Sequence, residues 1–228
     1  IKATQPGDHG VRLIQRFDSK ARLPELLKQI SEQCAYAAER NSRERNAVLL
    51  LSRRNEPLQA ITAQLDKKLP VKAYTIHRAK GLEYGVVFCP FLFDGYSRGG
   101  SEGPMRAWHD DDGALVLDYR AGASEDKAVK ARIKHEQQAE DLRLIYVALT
   151  RAVQRCYLVV GSYASNSFGK TNHTEAGRSL LNWMVAGAGM DAEAWAAHKP
   201  TPADIDAHWR ALVAASTLDG QPVMALAD

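Results

Sequence analysis

Apolar residues recur along this chain in two rhythms. Ala47–Leu51 and Gly85–Phe93 are continuous apolar runs, the signature of strands covered on both faces of a parallel sheet. Val11–Phe17 alternates more loosely, Val71–Ile76 follows the helix-breaking Pro70, and Arg155–Val160 is apolar again; all three predict strands. The second rhythm is helical. Leu23, Leu26, Leu27, Ile30 and Cys34 fall at i, i+3, i+4, i+7 and i+11, with Pro24 near the first turn. After the polar stretch Glu39–Asn46 and the run at Ala47, Asn55 can cap another helix; Pro57 sits in its first turn, and Leu58, Ile61 and Leu65 form its buried side. From Ser124 to about Val153 the chain is helix-prone, and Leu142, Ile145, Tyr146, Leu149 and Val153 form a predicted buried stripe.

Breaker residues complete the outline. Asp94–Pro104 is glycine-rich and reads as a loop, while Arg106–His109, the turn Asp110–Gly113 and Ala114–Tyr119 predict a hairpin. The tail holds two or three short Ala-rich helices, from near Thr174 to near Ser216. Ser, Asn, Gly and Thr crowd Ser162–Asn172, which places a boundary there: residues 1–161 form one domain and 162–228 a helical C-terminal extension. Strands alternating with helices predict an α/β fold with a parallel sheet.

Composition narrows the function classes. With 228 residues, 45% of them hydrophobic, the chain can bury a proper core, which excludes disordered, collagenous and disulfide-scaffold readings. No apolar run approaches the length of a bilayer span, and no basic-then-apolar leader opens the chain. Ile1 in first place implies a piece of something longer. The +3 balance permits nucleic acid as a partner without demanding it. Cys34, Cys89 and Cys156 are far apart among apolar neighbours, so buried free thiols are expected, and neither structural zinc nor disulfides.

Candidate chemistry concentrates in two segments. Tyr74-Thr-Ile-His-Arg-Ala-Lys-Gly-Leu-Glu83-Tyr84 lies between two predicted strands, leaving a strand end where α/β folds place ligands. It gathers Thr75, His77, Lys80 and Glu83 around Gly81, a residue that lets backbone approach closely. A mere connector rarely carries so many such groups. The second segment is Glu140-Asp-Leu-Arg-Leu-Ile-Tyr-Val-Ala-Leu-Thr-Arg151-Ala152. Its apolar positions need no explanation beyond a helix core face. Arg151 does, because an arginine at the helix end just before a core strand can aim a planar cation at a phosphate.

Together these segments resemble the fifth and sixth motifs of superfamily 1 DNA helicases of the UvrD/Rep/RecB type. Ala47–Asn55, with Ser52-Arg-Arg-Asn55, resembles the segment that opens the second motor domain in that family. Leu92, the Val116-Leu-Asp118 hairpin and the Ala139–Arg151 string are most similar to the RecB (exodeoxyribonuclease V β) branch. The resemblance is strong over about Ala47–Gly161 and weak elsewhere. It implies a RecA-like (P-loop NTPase-like) domain, a parallel sheet flanked by helices. By resemblance, Glu83 binds the ribose of ATP with Gly81 close by, and Arg151 contacts the γ-phosphate as an arginine finger. Arg53, Asn55, Thr75 and His77 would lie toward a single-stranded DNA track, with Lys80 near that track or the nucleotide edge. Hydroxyl, imidazole and arginine suit phosphate backbones and read no base sequence.

The chain also departs from that pattern. Gly169-Lys170-Thr171 would need a glycine five residues earlier to be a phosphate loop, and Ala164 stands there. No Asp-Glu pair for Mg²⁺ follows a buried strand. The domain thus lacks its own P-loop, and ATP with Mg²⁺ would be held mainly by a first motor domain outside this chain. Larger family members insert a helical domain before the Thr75 motif; here only about two dozen residues separate Ala47 from Thr75, leaving room for one helix and no insertion at about 66–73. Val116-Leu-Asp118-Tyr119-Arg120 is similar to the Asp-Tyr-Lys element of fused nucleases, but Arg120 cannot be deprotonated to act as a base. Trp183, Trp195 and Trp209 read as packing residues, and Lys127, Lys130, Arg132 and Lys134 as a solvated helix face.

The resulting expectation is the C-terminal motor domain of an ATP-dependent 3′-to-5′ DNA helicase in double-strand-break repair and recombination. Its partners would be single- and double-stranded DNA, the first motor domain and other subunits of a RecBCD-like complex, in the bacterial cytoplasm without a membrane. On its own the 228-residue chain should neither hydrolyse ATP nor unwind DNA. The alternative is a non-catalytic helicase-like module binding DNA or protein; a metal-dependent nuclease ranks behind both.

Overall fold

A computed structural model of the chain describes residues 10–15, 28, 31, 32, 34–38, 48–53, 55–63, 65, 67–92, 106–119, 127–162, 165–167, 170–172, 174–187 and 189–227. The expected loop at Asp94–Pro104 lies outside them, as does most of the stripe from Leu23 to Ile30. Strand β1 is Gly10–Gln15, and residues 34–38 are helical (α1). Next come β2 (Val48–Ser52), α2 (Asn55–Thr62), β3 (Val71–Thr75) and β4 (Tyr84–Cys89). The hairpin β5 (Arg106–His109) and β6 (Leu115–Asp118) precedes the long helix α3 (Lys127–Leu149) and strand β7 (Ala152–Val160).

The tail contains a small β8–β9 ribbon (Ser165–Ser167, Lys170–Asn172) and four helical stretches. These are α4 (Thr174–Gly177), α5 (Leu180–Ala186), α6 (Ala192–His198) and α7 (Pro202–Ala215), one more than the pattern predicts at most. A β10–β11 turn (Thr217–Leu218, Gln221–Pro222) leads into β12 (Met224–Ala227).

Six strands form one sheet in the order β12-β1-β7-β4-β2-β3, every neighbour parallel. The continuous apolar runs explain its centre. All of β2 and β4 is buried, because helices or loops cover both faces. Leu49, Leu50 and Leu51 are fully enclosed, each stabilising the fold by about 1.5–3 kcal/mol relative to exposure. Directly opposite one another on β4 and β7, Phe88 and Tyr157 stack at 4.2 Å between ring centroids. Strand β3, by contrast, is an edge strand and only half-buried. All three cysteines are buried free thiols, as the sequence implies, and burial pushes Cys34 up to about 12.

Helix α3 corrects the predicted stripe. Its buried face is Asp141, Leu144, Ile145 and Ala148, at i, i+3, i+4 and i+7. Leu142 and Leu149 fall on the rim, Tyr146 is 69% exposed, and Val153 belongs to β7. One residue turns a helix by about 100°, so a face centred on 141–148 leaves position 146 pointing outward.

The hairpin turns because Asp110 Oδ1 accepts from the Asp112 and Ala114 N–H groups, while Gly113 takes φ of 77°. It docks on α3. Arg132 donates to both Asp111 carboxylate oxygens at 2.9 and 2.7 Å, and His109 Nδ1 lies 2.8 Å from Glu136. That histidine contact holds the Glu136 carboxyl below its ordinary value. Part of the supposedly solvated basic run is therefore paired.

The tryptophans pack as expected: Trp195 and Trp209 are buried, and Trp183 lies half-buried against the core. Buried Asn182 fastens the tail to the end of β7. It donates to Gly161 and Ala176 carbonyls and accepts from Trp209 Nε1 at 2.8 Å. Residues 162–228 are not only helical, since β12 returns to pair with β1 in the main sheet. Among the described residues, no helix is long and apolar enough to cross a membrane.

Candidate functional site

Parallel pairing sets the site's geometry. Ser52 ends β2 opposite Thr75, which ends β3, so the residues that follow both strands emerge at the carboxyl end of the sheet. The Ile76 N–H donates to Ser52 O at 3.0 Å, joining the two exits. Ile76 and Ala79 are buried and the Ala79 N–H donates to Thr75 O, which anchors a tight turn. His77, Arg78 and Lys80 are presented outward from it. Arg53, Asn55, Thr75 and His77 thus share one end of the sheet, with Asn55 exposed at the start of α2.

Two features at this end escape a reading by motif. The Arg78 guanidinium sits 4.6 Å from the Tyr74 ring centroid, a cation–π contact within reach of the same face. Arg53 forms an ion pair with Asp141 of α3, whose side chain is only 5% exposed. Burial raises the Asp141 carboxyl to about 6 from 3.8, with Arg53 opposing the shift and Glu140 adding to it. A carboxylate on a buried stripe is a signal only once the helix face is known.

The connection 76–83 carries the chain back to the amino end of β4. Gly81 adopts φ of 81°, a left-handed conformation that favours glycine, and no atom lies within 4 Å of where a Cβ would stand. Here the second group assembles. The Tyr84 N–H donates to Arg151 O at 3.0 Å, and Tyr84 opposes Ala152 at the start of β7. Arg151 donates from Nε to Val147 O (3.0 Å), from Nη1 to Leu82 O (3.1 Å) and from Nη2 to Thr150 Oγ1 (3.0 Å). The Val147 carbonyl lies in the last turn of α3, where a cation is favoured by the helix dipole. Exposed Glu83 follows Leu82 directly. Burial and neighbouring Tyr74 hold the Tyr84 phenol above its ordinary value.

The eight expected site residues therefore divide. Gly81, Glu83 and Arg151 meet at the amino end of β4 and β7, while Arg53, Asn55, Thr75 and His77 meet at the carboxyl end of β2 and β3. Lys80 stands on the connection between them. The Gly-Lys-Thr triplet offers no rival, because Lys170 and Thr171 lie in β9, paired antiparallel with β8. Among the described residues, no cluster of three or more His, Cys, Asp or Glu could hold a metal ion.

A parallel sheet flanked by helices is the architecture of a RecA-like helicase domain. Residues 18–163 match the family described as UvrD-like helicase C-terminal domain, and the chain belongs to that family. Among curated relatives, the RecBCD enzyme subunit RecB of Escherichia coli (strain K12) is 33% identical over 170 residues, 74% of this chain and 13% of that protein. An ATP-dependent helicase/nuclease subunit of Lacticaseibacillus paracasei is 31% identical over 147 residues, 62% of this chain and 11% of that protein. The corresponding protein of Oenococcus oeni reaches 41% over 99 residues, 40% of this chain and 8% of that protein. The chain thus spans roughly an eighth or less of the length of these relatives.

Proposed function

We propose that this chain is the second motor lobe of an ATP-dependent 3′-to-5′ DNA helicase that acts in double-strand-break repair and recombination in the bacterial cytoplasm. Residues 1–161 are the lobe and 162–228 its extension, whose last strand is built into the sheet. The observation that carries this reading is the contact of Arg151 with Leu82 and Tyr84, which joins two motif segments 69 residues apart in sequence. The donor set suits a nucleotide. Arg151 offers a half-buried planar cation, Glu83 an exposed carboxylate for a sugar hydroxyl, and Gly81 open space for close approach.

ATP with Mg²⁺ supplies the hydrolysis energy when bound, held mainly by a first lobe on another part of the polypeptide. Arg151 would release the Val147 and Leu82 carbonyls and the Thr150 hydroxyl to meet the terminal phosphate, and Glu83 would orient the ribose. Arg53, Asn55, Thr75, His77 and Lys80 line a track for the phosphate backbone of single-stranded DNA, beside the duplex being opened. Relatives from several bacteria carry RecBCD in their names, which supports other subunits of a comparable complex as partners. Alternate closing and opening of the two lobes then moves the strand.

In a protein carrying both lobes, Arg151→Ala should abolish ATP turnover while leaving nucleotide binding largely intact. Unchanged turnover would remove the finger assignment. The isolated chain should show no ATPase, and Arg151-dependent hydrolysis by it would overturn the two-lobe reading.

A further inference from the structure

Asp141 is the one carboxylate on the buried stripe of α3, flanked by Leu144, Ile145 and Ala148. Withdrawing a carboxylate from water carries a large penalty, and apolar residues in its place usually serve stability as well or better. Its ion-pair partner, Arg53, stands at the carboxyl end of β2 with 36% of its side chain exposed. The pair therefore has one enclosed member and one presented member. An arginine is a long flexible side chain that loses considerable freedom when it binds. A carboxylate fixed in the core can remove that freedom beforehand.

We infer that Asp141 is a positioning residue: it anchors the Arg53 guanidinium from below so that the cation faces outward to receive a phosphate oxygen. This rests on the reading of Arg53 as a phosphate-contacting group. The oxygen can belong to a DNA backbone or to a nucleotide, and the chemistry of recognition is the same. Asp141 touches neither ligand. It sits eight residues before the end of α3 at Leu149, about 12 Å along the helix axis, and Arg151 follows two residues beyond that end. Any tilt of α3 that moves one arginine thus shifts the anchor of the other.

The test uses the 228-residue chain and two measurements. Nitrogen-15 relaxation of the Arg53 Nε–H should show an ordered group in the wild type and a motionally averaged one in Asp141→Asn, with order regained in Asp141→Glu. An averaged Arg53 signal in the wild type, or an ordered one in Asp141→Asn, overturns the inference. Binding is then read by anisotropy of labelled oligo-dT, and by a fluorescent ATP analogue to distinguish the two phosphate sources. Arg53→Ala should weaken the responsive ligand about tenfold, the loss of one charge-assisted contact. Asp141→Asn should weaken it about threefold through lost preorganisation, and by nothing further in the Arg53→Ala background.

Weakening by Arg53→Ala alone, with Asp141→Asn binding as wild type does, defeats the positioning role and leaves the track reading intact. An Arg53→Ala chain that handles both ligands as the wild type does defeats both together. Additive losses in the double variant would show that Asp141 acts through the fold and not through Arg53.

Discussion

Arg53 and Arg151 are both half-buried, and the structure holds them in opposite ways. Arg151 is bonded to neutral acceptors, two carbonyls and a hydroxyl. Arg53 is paired with a full negative charge that is itself enclosed. A guanidinium on neutral oxygens gains strongly when an anion replaces them, so Arg151 is suited to change partners. One held by a buried carboxylate cannot leave without stranding that charge, so Arg53 is suited to stay in place. On the proposed function, the same residue type would thus serve as a moving part at the amino end of the strands and as a fixed part at the carboxyl end.

The largest test of this contrast is Arg151→Lys in a two-lobed protein. Lysine keeps the charge but loses the planar fork, and turnover should fall by about 10³-fold or more, as arginine fingers generally require. Steady-state ATPase assays would show it, and near-normal turnover would mean that charge alone suffices.

The fixed arginine makes a prediction about stability and pH. The native Asp141 carboxyl binds its proton at about 6, against 3.8 ordinarily, so native protein holds more protons than unfolded protein between those values. Stability is therefore highest below about 4 as far as this group is concerned, falls as pH rises, and the loss is complete above about 6. With solvent screening the effect should be on the order of 1–2 kcal/mol. Urea denaturation at pH 4.5 and 7.5 should reveal that slope in the wild type and its absence in Asp141→Asn. Equal slopes in the two proteins would place the charge elsewhere.

Smaller changes sharpen the amino end. Gly81→Ala imposes a Cβ on a left-handed residue with open space around it, which should destabilise by about 1–2 kcal/mol from backbone strain alone. Gly81→Asn should cost less, and thermal melts of the two would rank them. Thr150→Val removes one acceptor from Arg151 and one helix-end bond. A shift of about 0.5–1 kcal/mol is expected, with Arg151 still held by its two carbonyls. A larger loss would show that the hydroxyl is the main restraint.

Much of this was legible in the chain beforehand, for identifiable reasons. Fully buried parallel strands leave continuous apolar runs, so β2 and β4 stood out, and free core thiols and the Asp-Gly hairpin have similarly local signals. Both motif segments were readable because their polar residues are crowded into a few positions. Other features were hidden by physics that acts at a distance. Tyr146 counts as apolar in any periodic pattern, yet the face of α3 is set by what it packs on. Asp141 counts as a solvent residue until Arg53 is beside it. Strand β12 is short and Ala-rich, with little intrinsic strand preference. It is a strand because β1 offers it a partner.

That last pairing bears on how the molecule comes to be folded. Strand β1 is flanked by β7 and β12, with Val11 opposite Cys156 on one side and Met224 on the other. Both neighbours lie far along the sequence, β7 beginning at Ala152 and β12 at Met224, so β1 has no local partner strand. Such distant closures make folding slow, and the unpaired edge can recruit another chain meanwhile. Removing Met224–Ala227 would make β1 the edge strand in place of β12, and increased self-association, read by light scattering, is the expected result.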